Sequence, residues 1–214
     1  MACPLCGLGE PLLFHQSNQA FQNRTFHICN ACELVWASPE HRLSAEEEKS
    51  RYDLHCNNPE DLDYLDFLNR LAKPMIVELK SDSLGLDYGC GPGPAMQIPF
   101  EQAGHRVNLF DPFYYFQNKA LDEQYDFITV SEVAEHFFNP SKEFEQFNHL
   151  LKPGGILGVM TQLRLLGSKF QDWWYPRDPT HVTFYSQKTM EWIAKQYNWV
   201  LGQPRHDICL FSKP

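Results

Sequence analysis

The stretch LGLDYGCGPGPA, residues 84–95, constrains the fold of this chain more than any other segment. An apolar run leads into Gly89, Gly91 and Gly93, and Asp87 stands two residues before the first of these glycines. Glycine adopts positive φ angles at no steric cost and lets a ligand lie against the backbone. A strand that runs into such a turn is typical of an α/β sheet that binds its ligand beyond the carboxyl end of a strand.

The chemistry of the turn indicates which ligand it holds. A dinucleotide fingerprint, G-x-G-x-x-G, would need a third glycine where this sequence has Pro94. The carboxylate of Asp87 would also repel a pyrophosphate, but it suits a ligand that carries a cation, and S-adenosylmethionine carries an ammonium and a sulfonium. Pro94 fits the first turn of a helix, whose N-terminus would favour the carboxylate of that ligand. The turn therefore favours S-adenosylmethionine over a nicotinamide cofactor.

Apolar runs continue after the turn with RVNLFD, YDFITV and GILGVMT, and helical patterns separate the later ones. WVLGQ and DICLFS near the end read as an antiparallel pair at a sheet edge. This rhythm predicts an α/β protein with a Rossmann-like, mostly parallel sheet and helices on both faces. Asp111 ends the run RVNLFD, where its carboxylate can accept hydrogen bonds from ribose hydroxyls. The alternative is an ordinary turn aspartate before Pro112.

LDYGCGPG, NLFDP, YDFITVSEVAEHF and LLKPGGILGVMT resemble, in this order, the successive motifs of class I S-adenosylmethionine-dependent methyltransferases. WWYPRDPTHVTFYSQKTMEWIA is similar to a bacterial branch of that superfamily whose substrate is generally unassigned. The resemblance implies a seven-stranded sheet whose last strand is antiparallel. Together with the strand-end positions it gives these candidate cofactor-binding residues: Asp87, Gly89, Gly91, Gly93, Asp111, Pro112, Ser131 and Glu132.

One departure from the family pattern follows Asp111. Only 14 residues separate it from Asp126, where the family usually has a helix, a strand and a loop. We therefore expect the third strand to be missing or vestigial, and Pro112 and Phe113 to supply the adenine wall.

Two histidines are candidate catalytic residues. His136, in SEVAEH, could act as a general base or position the acceptor, and it is predicted to share a helix face with Glu132. In the alternative interpretation, Ser131 is a helix N-cap and Glu132 favours the helix dipole. His181 lies in the loop DPTH, where a catalytic or substrate contact competes with a structural hydrogen bond. The aromatic run WWY, residues 173–175, could roof a substrate pocket or fill core.

Paired cysteines at the N-terminus predict a structural, tetrahedral zinc site. Its ligands are Cys3, Cys6, Cys29 and Cys32, in two C-x-x-C knuckles whose turns carry Gly7 and Asn30. The other three cysteines, Cys56, Cys90 and Cys209, are interpreted as packing residues.

Three segments follow from these patterns: a zinc-ribbon-like segment (1–42), a helical linker or lid (43–82) and a class I methyltransferase-like domain (83–214). We expect the ribbon to cover the cofactor cleft or to complete the substrate pocket.

Charge and hydropathy limit the partners. A formal net charge of −9 argues against nucleic acid as the main partner. No run of about 18 apolar residues predicts a membrane span, and the N-terminus lacks a signal-peptide pattern, so a cytoplasmic location is expected. A small-molecule acceptor is favoured. The alternatives are an RNA or protein methyltransferase that uses the ribbon for recognition and a non-catalytic zinc-bearing scaffold, and the oligomeric state is left open.

Overall fold

A computed structural model describes residues 2–8, 10–18, 23–54, 57–116, 118–165 and 169–214 of the chain, and Cys56 lies outside these ranges. The strands are β1 (Leu12–Gln16), β2 (Thr25–Ile28), β3 (Val35–Ala37), β4 (Leu84–Tyr88), β5 (Arg106–Phe110), β6 (Tyr125–Ser131), β7 (Leu151–Met160), β8 (Thr183–Phe184), β9 (Val200–Arg205) and β10 (Ile208–Ser212). The α-helices are α1 (Ala45–Tyr52), α2 (Leu62–Glu78), α3 (Gln97–Gln102), α4 (Pro140–Leu150) and α5 (Gln187–Tyr197).

The larger sheet has six strands in the order β5-β4-β6-β7-β10-β9. Strands β5, β4, β6 and β7 are parallel, whereas β10 pairs antiparallel with both β7 and β9. The predicted mostly parallel sheet and the antiparallel pair at its edge are confirmed. Between β5 and β6, the described residues contain a short 3-10 turn, Asn118–Leu121, and no strand that joins the sheet. The described chain thus lacks the third strand of the family pattern, as its shortened sequence predicts.

Helices cover both faces of this sheet, as predicted. On one face, α2 and α3 bury Leu71, Met75 and Phe100. Burial of side chains of this size contributes about 2 kcal/mol each. Helix α2 continues through Pro74. On the other face, α4 and α5 bury a second set of apolar side chains, which includes Phe144, Phe147, Met190 and Ile193. No helix in the described ranges is both long enough and apolar enough to cross a bilayer.

The smaller sheet is built from both ends of the chain. Strands β1, β2 and β3 form an antiparallel meander, and β8 adds a fourth strand beside β3. In this pairing Val35 lies opposite Phe184 and Trp36 opposite Thr183. The ribbon's sheet therefore includes residues that the sequence assigns to segment 83–214, and the three-segment division stays a prediction.

Candidate active site

A cavity of about 710 Å³ lies beyond the carboxyl ends of β4, β5 and β6. The predicted site residues that line it are Asp87, Gly89, Gly91, Asp111, Pro112, Ser131, Glu132, His136 and His181. Segment 43–82 contributes further lining residues, among them Glu48, Tyr52, Asn57 and Tyr64. None of the described lining residues comes from segment 1–42, so the described part of the ribbon does not form the cavity wall.

The lining is strongly acidic. Seven carboxyl side chains face the cavity, and the described lining residues include no Lys or Arg. The seven are Glu48, Asp87, Asp111, Glu132, Glu135, Glu143 and Asp178. A cavity lined by carboxyl groups, with no Lys or Arg among its described lining residues, favours a cationic ligand and disfavours a polyanion.

The glycine turn after β4 depends on its missing side chains. Gly89 and Gly91 have φ of 79° and 64°, which other residues rarely adopt. A Cβ on Gly89 would lie 2.6 Å from Val133, and one on Gly93 would collide with the backbone oxygen of Asn57. Gly93 thus packs the turn against segment 43–82 and does not line the cavity.

The expected helix terminus beside the turn is absent. Helix α3 begins only at Gln97 and has six residues, so Pro94 lies in the preceding loop and not in a first helical turn. The prediction that a helix N-terminus favours the cofactor's carboxylate is therefore wrong. The local reason is that the glycine turn continues as an irregular loop through residues 92–96 before the helix can start.

Two acids flank the turn. Asp87 is buried and accepts a hydrogen bond from Thr129 Oγ1 at 2.9 Å, and burial raises its pKa to about 7. Asp111 accepts hydrogen bonds from the backbone N–H groups of Gly91, Phe113 and Tyr114 at 2.9, 2.8 and 3.1 Å. Because a carboxylate offers about four acceptor sites, Asp111 shapes the loop and retains capacity for a ligand hydroxyl.

The chain after β6 does not form the predicted helix. Ser131 is the last residue of β6, a 3-10 turn spans Ala134–His136, and α4 begins at Pro140. Glu132 has a φ of 51°, which costs a non-glycine residue roughly 1 to 3 kcal/mol. The expected shared helix face of Glu132 and His136, and the N-cap role of Ser131, are therefore wrong. Burial, reinforced by the nearby Glu135 carboxylate, raises the pKa of Glu132 to about 9.

The two candidate histidines lie side by side, with ring centroids 4.9 Å apart. His136 Nδ1 lies 3.0 Å from the backbone oxygen of Thr180, and His181 Nδ1 lies 2.8 Å from that of Tyr175. Because a carbonyl oxygen only accepts, each Nδ1 carries a proton, and in the neutral ring each Nε2 then keeps its lone pair. Burial lowers the pKa of His181, which favours the neutral ring. One ring nitrogen thus makes a structural hydrogen bond, and the other is available for chemistry.

Comparison with known proteins identifies the family. Residues 57–203 match a family model described as a methyltransferase domain. The chain belongs to this methyltransferase family. No curated protein matches the sequence significantly.

Solved structures support the same fold for the methyltransferase. It is similar to 1,6-didemethyltoxoflavin-N1-methyltransferase of Burkholderia thailandensis, solved with S-adenosylhomocysteine, at 12% identity and a TM-score of 0.54 over 96% of this chain and 99% of that one. It is also similar to magnesium protoporphyrin IX methyltransferase of Synechocystis PCC 6803, likewise solved with S-adenosylhomocysteine. The identity is 14% and the TM-score 0.55, over 79% of this chain and 95% of that one. The prediction of a class I S-adenosylmethionine-dependent methyltransferase is confirmed.

Two residues of the methyltransferase that sequence reasoning missed support the histidines. Glu135 is fully buried; Thr161 Oγ1 donates to its Oε2 at 2.9 Å, and its Oε1 has no partner among the described residues. Arg24, in the ribbon, donates to the backbone oxygens of Pro176, Asp178 and His181 at 3.2, 2.9 and 2.6 Å. Glu135 could have been found from the sequence, because it directly precedes the candidate residue His136. Nothing in the sequence connects Arg24 with a loop so far along the chain.

The four N-terminal cysteines of the methyltransferase come together. Their Sγ atoms all lie within 4.8 Å of one another, with 3.6 Å between Cys3 and Cys32 and 3.4 Å between Cys6 and Cys29. Four thiolates at the Zn–S distance of about 2.3 Å would stand about 3.8 Å apart in a tetrahedron, so the cluster fits zinc.

The two cysteine knuckles have matching backbones. Gly7 donates its N–H to the oxygen of Cys3 at 3.0 Å, and Glu33 donates to that of Cys29 at 2.9 Å. Both donors have positive φ, 67° and 57°. The second tight turn therefore depends on Glu33, and not on Asn30 as the sequence suggests.

Proposed function

We propose that this methyltransferase transfers the methyl group of S-adenosylmethionine to a small-molecule acceptor in the 710 Å³ cavity. The observation that carries the proposal is the juxtaposition of a glycine turn with seven carboxyl groups and no lining Lys or Arg among the described residues. A sulfonium cofactor is a cation, and this cavity stabilises cations.

The geometry around the turn supports the following cofactor-binding roles. Asp87 would attract the ammonium group, and Gly89 and Gly91 would hold the methionine part of the cofactor. Asp111 would accept a hydrogen bond from the ribose, and Pro112 would form part of the adenine wall. The backbone N–H groups of Phe113 and Tyr114 donate to the Asp111 carboxylate. These hydrogen bonds fix the position of the chain that follows Asp111, and with it the adenine wall.

The acceptor is placed against the histidine pair. S-adenosylmethionine would supply an activated methyl group, and the chain's own task is to align the acceptor with it and to exclude water. The Nε2 lone pairs of His136 and His181 can accept a proton from the acceptor or hold it by a hydrogen bond. Trp174 and Tyr175 form an apolar wall of the same cavity.

Segment 43–82 acts as the lid that excludes water. Tyr52, at the end of α1, packs against His136 with ring centroids 5.3 Å apart and against Phe113 at 5.8 Å. Tyr114 donates from its hydroxyl to Asp53 Oδ1 at 2.6 Å. The lid thus contacts both the loop assigned to adenine and the histidine assigned to the acceptor.

A small acceptor suits the acidic cavity better than RNA does, because phosphates would be repelled. The Burkholderia enzyme of the same fold acts on the small molecule 1,6-didemethyltoxoflavin. A zinc ion held by the cysteine cluster would be structural, since four protein ligands leave no open position.

The test combines calorimetry with a transfer assay. We expect S-adenosylmethionine to bind the wild-type protein, and Asp87→Asn to weaken this binding about tenfold, as loss of a buried charge contact predicts. The control Asp122→Asn changes an exposed acid outside the cavity and leaves affinity unchanged. Labelled methyl groups, offered to separated small-molecule, RNA and protein fractions of a cell extract, should enter the small-molecule fraction. Label in RNA or protein would overturn the acceptor class, and absence of cofactor binding would overturn the activity.

A further inference from the structure

The histidine pair has a third neighbour that a catalytic base does not require. Three potential metal-ligand atoms lie within 4.8 Å of one another at the cavity wall: a carboxylate oxygen of Glu135 and one ring nitrogen each of His136 and His181. Glu135 is fully buried, and its Oε1 has no hydrogen-bond partner among the described residues. A buried carboxylate oxygen without a partner is destabilising unless a proton donor or a cation satisfies it.

The orientation of both rings matches that of metal-bound histidines. A histidine that binds a metal through one nitrogen usually donates the N–H of the other to a carbonyl or carboxylate, which fixes tautomer and orientation. His136 and His181 each do this through Nδ1, toward the backbone oxygens of Thr180 and Tyr175. Both rings therefore present an Nε2 lone pair, and the described residues supply no partner for either.

Glu132 lines the same cavity and is connected to Glu135 through neutral groups. The Tyr175 hydroxyl lies 3.5 Å from Glu132 Oε2 and 3.1 Å from Thr161 Oγ1, which donates to Glu135 Oε2. Glu135 Oε1 still has no hydrogen-bond partner among the described residues, and a divalent cation would satisfy it.

We propose that Glu135, His136 and His181 bind a divalent transition-metal ion in the active-site cavity, distinct from the zinc of the cysteine cluster. Two imidazoles and one carboxylate suit Zn²⁺, Mn²⁺, Fe²⁺ or Co²⁺ and not Mg²⁺ or Ca²⁺, which prefer oxygen ligands. Three protein ligands leave coordination positions open for water or an acceptor oxygen. The role of the ion rests on the proposed function. Binding of the ion does not, because it depends only on the side chains of Glu135, His136 and His181.

The probe is Co²⁺, added to the full-length, zinc-loaded protein and followed by calorimetry and absorption. We expect one Co²⁺ per chain beyond the ribbon zinc, with weak visible bands and without the intense thiolate-to-cobalt band that entry into the cysteine cluster would give. Glu135→Gln and His181→Gln should each weaken Co²⁺ binding at least about tenfold, as loss of a ligand requires. The matched control His149→Gln changes an exposed histidine and should bind as wild type does.

The following outcomes decide whether the metal site exists. Absence of Co²⁺ binding outside the ribbon, or equal affinity in the wild type and the ligand variants, would overturn the metal site. Unchanged melting temperature and S-adenosylmethionine affinity in Glu135→Gln, the closer isostere, would show that loss of Co²⁺ is not loss of folding. S-adenosylmethionine binding, measured separately, tests the proposed function, so either proposal can fail while the other stands.

Discussion

At the scale of the residue, Asp87 should make cofactor binding depend on pH. Burial raises its pKa to about 7, so the carboxyl is mostly neutral at pH 6 and mostly ionised at pH 7.5. The ammonium group of S-adenosylmethionine is attracted only to the ionised form, so affinity should rise with pH, by about fivefold across this interval. Calorimetry at the two pH values measures the change, and proton release on binding at pH 6 should accompany it.

Glu48 provides the control for this prediction, because burial also raises its pKa to about 7 and it lines the same cavity. Glu48→Gln should keep the pH dependence, whereas Asp87→Asn should abolish it. A dependence that survives in Asp87→Asn would remove Asp87 from the ammonium site.

A second residue-scale prediction concerns the glycine turn. Gly91 and Gly104 have φ of 64° and 85°, and an added Cβ would stand 3.4 Å from Asn57 at Gly91 and would meet nothing within 4 Å at Gly104. Alanine at either position should cost about 1 kcal/mol of unfolding free energy, because both carry the same backbone penalty. Only Gly91→Ala should also weaken S-adenosylmethionine binding, by tenfold or more. Equal affinities of the two variants in calorimetry would mean that the cofactor does not approach Gly91.

At the scale of the element, the ribbon positions the loop of residues 176–181 that ends in His181. The buried guanidinium of Arg24 donates to three backbone oxygens of this loop. Arg24→Gln should lower the free energy of unfolding by about 3 kcal/mol, since several buried hydrogen bonds are lost. It should reduce methyl transfer at least tenfold and leave S-adenosylmethionine affinity nearly unchanged, because Asp87 and Asp111 lie on other elements.

Arg106→Gln is the matched control, because Arg106 is 66% exposed and its one ion-pair partner among the described residues is Asp82, at 3.4 Å. Chemical denaturation and a transfer assay compare the two variants. Parallel losses of transfer and of cofactor affinity in Arg24→Gln would indicate general unfolding in place of a displaced loop.

The elements also show why some features could be predicted from sequence and others could not. The glycine turn, Asp111 and the cysteine knuckles depend on residues a few positions apart, and local spacing reveals them. Arg24 and the pairing of β3 with β8 join distant parts of the chain, which no local pattern encodes. The helix predicted after Ser131 fails because Glu132 turns the chain with a positive φ, a conformation that intrinsic propensity disfavours for glutamate.

At the scale of the whole molecule, the cysteine cluster and the candidate active site belong to one structural unit. The four-stranded sheet joins the cysteine knuckles to β8, and β8 begins two residues after His181. Ala37 also donates its N–H to the backbone oxygen of Val182 at 2.8 Å. Because metal binding supplies folding free energy to a small ribbon, loss of zinc should loosen this sheet and displace His181.

Cys32→Ser tests this coupling, with Cys209→Ser as the matched change of a buried cysteine outside the cluster. Metal analysis should find less zinc in Cys32→Ser only, and its melting temperature should fall by more than that of Cys209→Ser. Methyl transfer should drop at least tenfold in Cys32→Ser while cofactor affinity stays within about threefold, because the residues proposed to bind the cofactor lie at the ends of β4 to β6, in the larger sheet. Full methyl transfer by a zinc-free Cys32→Ser protein would show that the ribbon does not position the loop that ends in His181. Equal losses of methyl transfer in Cys32→Ser and Cys209→Ser would assign the effect to core packing.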